Sequence, residues 1–130
     1  MSRIAFAEQC RQVCASHGWE LLPTGILVQW EDGRKQLVRL EIFESNREQL
    51  VRLSTTIGSV DLLTRDHLVL ALEANAELAH GALAIRSREL CLTDTLMLES
   101  SDASQIEASI GFLATQADEY ERSIYGTDVH

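Results

Sequence analysis

The spacing of apolar side chains divides the first half of the chain into one helical and three extended segments. Apolar residues recur every three or four positions over residues 2–17, and Gly18 then ends the pattern, which predicts a helix closed by a C-terminal glycine. Strict alternation follows over residues 26–30, 38–42 and 51–57. Asp32-Gly33 and the polar stretch 44–48 separate these segments, so the pattern predicts an antiparallel three-stranded meander with one apolar face.

The second half of the chain repeats this alternation of helix and hairpin. Thr64 is expected to cap a helix that runs to about Ala79, and Gly81 is expected to close it in the left-handed conformation. Two further strands follow over residues 82–86 and 89–98, separated by a polar turn at Ser87-Arg88.

A last helix begins at Asp102, and Gln105 stands where a capping box requires it. Its apolar stripe runs through Ile106, Ile110, Leu113, Ala117 and Tyr120. The order α-β-β-β-α-β-β-α predicts an α+β fold, an antiparallel sheet with helices packed against it. A chain of 130 residues with 45% hydrophobic positions is sufficient for one core. We therefore expect a single domain over residues 1–125 and a flexible C-terminal tail at 126–130.

Asn75 occupies a position in the second helix where an apolar residue would fit the helical spacing. Its side chain should point toward the sheet, where an unpaired amide would cost about 1–3 kcal/mol. The nearest backbone partners are those of the turn at residues 79–81, which the end of the helix leaves unpaired. The sequence therefore predicts that Asn75 fixes the helix-to-strand corner, with a ligand-binding role as the alternative.

Asp94 interrupts a row of leucines in the last strand. Either its carboxylate faces inward and can act as a base, or the strand slips by one residue at a bulge or edge, and the slip is the favoured interpretation. Because Cys91 and Met97 lie between the leucines, the strand pair is apolar on both faces and one face requires a partner. The expected dimer or partner interface consists of Leu70, Ala74, Leu90, Leu92, Leu96 and Leu98. A Leu96→Asp substitution should then dissociate the dimer.

Cys10, Cys14 and His17 share one face of the first helix, and Cys91 offers a fourth zinc ligand. The positions coincide with the apolar stripe, and free cysteine is among the most buried residue types, so core packing is the favoured interpretation. The same reasoning disfavours Cys14 and His17 as a nucleophile pair. No phosphate-binding loop, dinucleotide fingerprint, zinc-protease motif or serine-hydrolase motif occurs. We expect reduced thiols, no cofactor, no metal and no enzymatic activity.

Charge limits the partners that the chain is expected to bind. The net charge is −9, and residues 66–130 carry three basic and twelve acidic side chains against eight of each in residues 1–65. Such a field repels phosphate backbones, so nucleic acid is not expected, whereas a basic protein segment is compatible. No apolar run reaches the roughly 20 residues that span a bilayer, and the N-terminus lacks a secretory pattern. The expected location is cytoplasmic, without membrane contact.

Three stretches carry a resemblance to known proteins: ALEANAELAHGALAI, LCLTDTLML and IEASIGFLATQADEYE. Together they resemble the YbjN-like bacterial family over roughly residues 51–120 and, more distantly, the type III secretion chaperones that share its fold. The resemblance implies a compact domain without catalytic activity. The chaperones are small acidic homodimers that hold a partly unfolded segment of a secreted protein, whereas YbjN-like proteins are linked to regulation or stress. The residues that correspond by position have a structural character: Ala74, Asn75, Gly81, Asp94 and Thr95.

The expected function is a homodimeric, chaperone- or adaptor-like module that holds a segment of a secreted or regulatory protein. Such a segment would add as an extended strand along an exposed edge of the sheet. The alternative is a homodimeric stress or signalling regulator of the YbjN type that has no client. A lesser alternative is a small metal-binding protein that uses Cys10, Cys14 and His17.

Overall fold

Three helices and six strands form the framework of residues 2–125, which the computed structural model describes. The helices are α1 (Arg3–His17), α2 (Arg65–Ala74) and α3 (Ala103–Tyr120). The strands are β1 (Glu20–Leu22), β2 (Gly25–Gln29), β3 (Lys35–Ser45), β4 (Glu48–Ser59), β5 (Ala82–Arg86) and β6 (Glu89–Met97). A 3₁₀ turn (Val60–Leu62) precedes α2, and a π turn (Glu121–Tyr125) follows α3. The predicted tail at 126–130 lies outside the described residues.

The strands form one sheet in the order β1-β2-β3-β4-β6-β5, and every pairing is antiparallel. Helices α1 and α3 pack together against it, so the predicted α+β fold is confirmed. Strand β6 returns beside β4 and places the β5–β6 hairpin at one edge. The short β1–β2 hairpin forms the opposite edge.

Side chains cap all three helix starts, and the caps at Thr64 and Asp102 were predicted. Ser2 accepts a hydrogen bond from the amide of Ala5 at 3.1 Å, and Gly18 closes α1 with φ +70°. Thr64 caps α2 with a reciprocal bond from His67, and Asp102 forms the expected capping box with Gln105. These local bonds satisfy amides that the first turn of a helix leaves without intrahelical partners.

Three boundaries differ from the prediction. Strand β1 was not foreseen, so the order is α-β-β-β-β-α-β-β-α. Helix α2 ends at Ala74 rather than near Ala79, because the chain leaves the helix through a series of turns after Asn75. The polar stretch 44–48 is mostly strand, and the turn consists only of Asn46-Arg47, both with positive φ.

The core lies between the sheet and helices α1 and α3. The stripe predicted for α3 is buried through Ala117, and Tyr120 packs against the same core in a half-buried position. Cys10 and Cys14 are 1% and 4% exposed, which confirms that they pack in the core. One buried hydroxyl, that of Thr55, donates to the Leu37 carbonyl at 2.7 Å, so its burial leaves no unpaired donor.

The leucines of β6 share one face, as predicted, but this face belongs to the core. Leu90, Leu92 and Leu98 are at most 2% exposed, and Leu96 is half-buried against the same core. The prediction that these residues form a dimer or partner interface is wrong, because β6 is an inner strand and α3 already covers them. Leu96→Asp would therefore disturb folding, and it does not test association.

Candidate functional site

Asn75 is bonded to the backbone of the edge strand β5. The amide N–H of Leu83 donates to Asn75 Oδ1 at 2.6 Å, and Asn75 Nδ2 donates to the Leu83 carbonyl at 3.1 Å. Along an antiparallel strand, the backbone N–H and C=O of successive residues point alternately toward one neighbour and the other. Leu83 directs both groups away from β6, and Asn75 bonds both of them. The predicted partners at 79–81 are wrong, because α2 ends early and brings the amide to Leu83 instead.

Asp94 faces inward without a slip of the strand. Its carboxylate accepts hydrogen bonds from the amide of Thr95 at 2.9 Å and from the hydroxyl of Ser109, on α3, at 2.7 Å. The pairing of β6 with β4 is regular at Asp94, which lies opposite Leu53, and the irregularity is on β4 between Thr56 and Gly58. The predicted slip at Asp94 is therefore wrong. The carboxylate links β6 to α3 and satisfies a backbone donor.

The far half of β6 lacks a strand neighbour on its outer side, because β5 pairs with β6 only as far as Thr93. Leu98 donates its amide to Gln49 on β4, so the odd-numbered residues of this segment direct their backbone groups away from β4. Two of these outward groups have partners. The amide of Thr95 donates a hydrogen bond to the Asp94 carboxylate. The Met97 carbonyl accepts hydrogen bonds from the amide of Ser101 at 3.1 Å and from the Ser101 hydroxyl at 2.5 Å.

Gly81 brings β5 close to β6 at the step where the pairing begins. Its φ is +69°, and a Cβ at this position would lie 2.5 Å from the Thr93 carbonyl oxygen. Ala74 lies beside Asn75 and lines a groove of about 290 Å³ between α2 and the chain after α3. Of the five residues that correspond by position to the resembled family, all but Ala74 therefore lie along one edge of the sheet. Their hydrogen bonds occupy outward groups of this edge at Leu83 and Thr95.

The opposite edge, at β1, has no such caps among the described residues. A turn at Pro23-Thr24 joins β1 to β2, and the closing pair Leu22 and Gly25 faces inward. The backbone N–H and C=O of Leu21 therefore point outward, and no hydrogen bond described for residues 2–125 occupies them. Leu21 is 38% exposed, and Ile4, on α1, is 84% exposed. Sequence reasoning missed this edge, since a strand of three residues shows no measurable alternation.

Helix α2 presents apolar side chains to solvent. Leu70 and Leu72 are 60% and 70% exposed. Val69 on the same helix is also exposed, as are Leu62 before the helix and Ile85 on β5. A second groove, of about 150 Å³, lies between α2 and β5 and is lined only by apolar residues. This exposed surface and its two grooves are available to a partner.

The cysteine and histidine pattern does not form a metal site. Cys10 and Cys14 are buried, whereas His17 is exposed, stacks on Trp19 at 4.4 Å and lies 2.7 Å from Glu107. No cluster of three metal-ligating side chains occurs in residues 2–125, so the zinc hypothesis is wrong for the described chain. Burial, and then the neighbouring Cys14, raise the pKa of Cys10 to about 12. Burial also raises the pKa of Cys14, so neither thiol is activated as a nucleophile.

A cavity of about 520 Å³ lies on the sheet face opposite the helices, between the β1–β2 and β5–β6 turns. Its charged walls include Arg39, Arg86, Glu41 and Glu89. Glu41 contacts Arg86 at 3.2 Å and Arg52 at 3.5 Å, so positive and negative groups are interspersed. This mixture does not provide the concentrated positive charge that binds phosphate groups.

Three solved structures share this architecture over nearly the whole chain. The ExsC-ExsE complex aligns with a TM-score of 0.65 at 14% identity, covering 95% of this chain and 97% of that chain. The HopA1-SchA chaperone-effector complex aligns with a TM-score of 0.60 at 8% identity, covering 94% and 99%. The Yersinia pestis type III secretion chaperone SycH, in complex with a fragment of YscM2, aligns with a TM-score of 0.53 at 12% identity, covering 88% and 98%. The chain has the fold of the type III secretion chaperones.

Each of these neighbours was solved together with another protein. At 8–14% identity, the likeness shows the chaperone fold alone. No protein-family model and no curated protein matches the sequence, so the resemblance to YbjN-like proteins is not supported by these comparisons. Among the described residues of this chaperone fold, no helix has the length and apolarity needed to cross a bilayer.

Proposed function

We propose that the protein is a non-enzymatic, chaperone- or adaptor-like module that holds an extended segment of a partner protein. The proposed binding site is the open edge of β1. The observation that carries the proposal is the contrast between the two edges of the sheet. Side chains and a turn occupy outward groups of the β5–β6 edge at Leu83, Thr95 and Met97 and leave Ile85 open, whereas at the β1 edge the outward groups of Leu21 have no described partner.

An added strand gains affinity from backbone hydrogen bonds and specificity from side-chain pockets. At β1 the backbone of Leu21 supplies the hydrogen-bonding groups, and the Leu21 side chain, which is 38% exposed, supplies apolar surface. The net charge of −9 favours the approach of a basic segment. The chaperone fold, with neighbours that were solved in complex with other proteins, supports the same function. A cytoplasmic location is part of this proposal.

The test is a pull-down of the tagged protein from its native cell lysate at moderate salt, with mass spectrometry of the captured proteins. One dominant protein is expected, and limited proteolysis of the complex should protect a short segment of it. Leu21→Pro should abolish this capture, because proline removes an outward N–H without breaking the β1–β2 ladder.

Ile85→Pro is the matched control at the other edge. Like Leu83, Ile85 directs its backbone groups outward, so proline there also removes a donor on an edge strand. The control protein should still capture the partner. Loss of capture in Ile85→Pro alone would move the binding site to β5, and capture by both variants would contradict strand addition.

The proposal includes a homodimer that associates through the exposed surface of α2. Leu70, which was expected in the interface, is 60% exposed, and Ala74 lines the groove beside it. Leu72 and Ile85 were not expected there but belong to the same apolar surface. Contiguous exposed apolar surface is more typical of a protein association site than of the rest of a monomer's surface.

The second candidate is a homodimeric stress or signalling regulator of the YbjN type without a client. The apolar surface of α2 favours it, because self-association alone would cover these side chains. Recovery of only the protein itself in the pull-down, together with a dimeric mass, would support this alternative against the partner-binding proposal.

A further inference from the structure

Helix α2 is held to the molecule by little buried surface. Of its ten residues only Ala71 is buried, whereas α1 buries four residues and α3 buries six. Grooves of about 150 and 290 Å³ lie beside it, where tighter packing would leave no space. A helix of ten residues has marginal stability in isolation, so its tertiary attachments decide whether it stays formed.

The polar attachment at the end of α2 is concentrated in Asn75. Its amide bonds both backbone groups of Leu83, at 2.6 and 3.1 Å. The Leu83 side chain and the neighbouring Leu90 are 5% and 2% exposed and line the groove under α2. When the helix moves away, the same step uncovers an unpaired strand edge and an apolar surface.

We infer that Asn75 is a latch and that α2 is a hinged cover, which opens as a unit when the amide releases the backbone of Leu83. In the open state the outward groups of Leu83 and Ile85 form a continuous strand edge above an apolar floor. This device is independent of partner binding at β1. It is a local opening with a lower free energy than global unfolding.

Native-state hydrogen exchange on the full chain tests the latch. In the wild-type protein, the amides of residues 69–72 and of Leu83 should share one opening free energy and a weak dependence on denaturant. The amide of Leu53, on the central strand β4, should exchange only through global unfolding. If Leu83 exchanges at the global limit together with Leu53, the inference is overturned.

Two substitutions test the coupling from opposite ends of the helix. Asn75→Ala should accelerate exchange both at Leu83 and along α2, by about tenfold or more. Thr64→Ala removes the N-terminal cap, far from Leu83, and should accelerate Leu83 together with the helix if they open as a unit. The Thr64→Ala variant also tests the coupling if Asn75→Ala does not fold.

Ser101→Ala is the matched control. It removes a capping hydroxyl from the same edge, at Met97, but has no contact with α2 in the described hydrogen bonds. Exchange along α2 should stay at the wild-type rate in this variant. Wild-type exchange along α2 in Asn75→Ala, or wild-type exchange at Leu83 in Thr64→Ala, would show that the two sites open separately and that Asn75 is not a latch.

Discussion

Gly81 and Gly18 share a left-handed backbone, with φ +69° and +70°, but differ in their surroundings. A Cβ at position 81 would lie 2.5 Å from the Thr93 carbonyl oxygen, whereas nothing lies within 4 Å of one at position 18. Gly18→Ala should cost about 1 kcal/mol of unfolding free energy, from the left-handed backbone alone. Gly81→Ala should cost about 2 kcal/mol or more, because β5 must also move away from β6.

Chemical denaturation of the two variants measures this difference directly. Equal losses would mean that the close approach of Gly81 to Thr93 contributes nothing beyond the backbone conformation.

The buried thiol of Cys10 gives stability a dependence on alkaline pH. Burial, and then the neighbouring Cys14, raise its pKa from 9.0 to about 12 in the folded protein. Between these values the unfolded chain loses a proton that the folded protein retains. The contribution of this thiol to the unfolding free energy is therefore fully present below pH 9 and is lost as the pH rises toward 12. Unfolding free energies of the wild-type protein should decline more steeply above pH 9 than those of Cys10→Ala.

The other alkaline groups titrate in both proteins, so the difference between the two pH curves isolates Cys10. Parallel curves would contradict this prediction.

Helical spacing was sufficient to predict that Asn75 points toward the sheet, but not which backbone it bonds. The spacing continues past Ala74 through Leu78, and the sequence carries no glycine or proline that would mark the earlier end of the helix. The partner is eight residues away along the chain. Asp94 was misjudged for a related reason, since the serine that accommodates its inward carboxylate lies on another element.

At the level of elements, periodicity located the long segments and their caps. The three residues of β1 are too short for a period of two to be visible, so the open edge could not be predicted. The turn between β3 and β4 was located but not its length. The length of this turn depends on positive φ angles, which a non-glycine residue adopts at a cost in free energy, and composition alone does not reveal them.

The β3–β4 turn therefore contains backbone strain that a single substitution should relieve. Asn46 and Arg47 have φ +51° and +68°, as a two-residue hairpin of the I′ type requires. Asn-Gly is the preferred pair there, so Arg47→Gly should raise the unfolding free energy by about 0.5–1 kcal/mol. Thermal melts monitored by circular dichroism measure the gain.

Arg88→Gly is the matched variant in the β5–β6 turn, where φ is +61°. Arg88 also pairs with Asp61, so the gain should be smaller than that of Arg47→Gly. A lower melting temperature in Arg47→Gly would show that its backbone is not strained.

At the scale of the whole molecule, the predicted interface combined Leu70 and Ala74 of α2 with the leucines of β6, and the structure separates the two groups. Topology explains the error. Strand β6 returns to an inner position beside β4, so its leucines lie beneath α3. Exposed apolar side chains remain on α2, which packs against the edge strand β5. Strand order is a long-range property, and local spacing does not encode it.

This surface leads to a prediction about the oligomeric state. Leu70 and Leu72 are 60% and 70% exposed on nearly opposite sides of α2, so a second copy that packs on either side of α2 buries at least one of them. The wild-type protein should have a dimeric mass in size-exclusion chromatography with light scattering. The double variant Leu70→Asp/Leu72→Asp should give a monomer, because on either side of α2 the interface would have to bury a carboxylate. Ile4→Asp is the control: Ile4 is 84% exposed but lies on α1, so the variant should remain dimeric. A monomeric wild-type mass, or dissociation by Ile4→Asp instead of the α2 changes, would place the interface elsewhere.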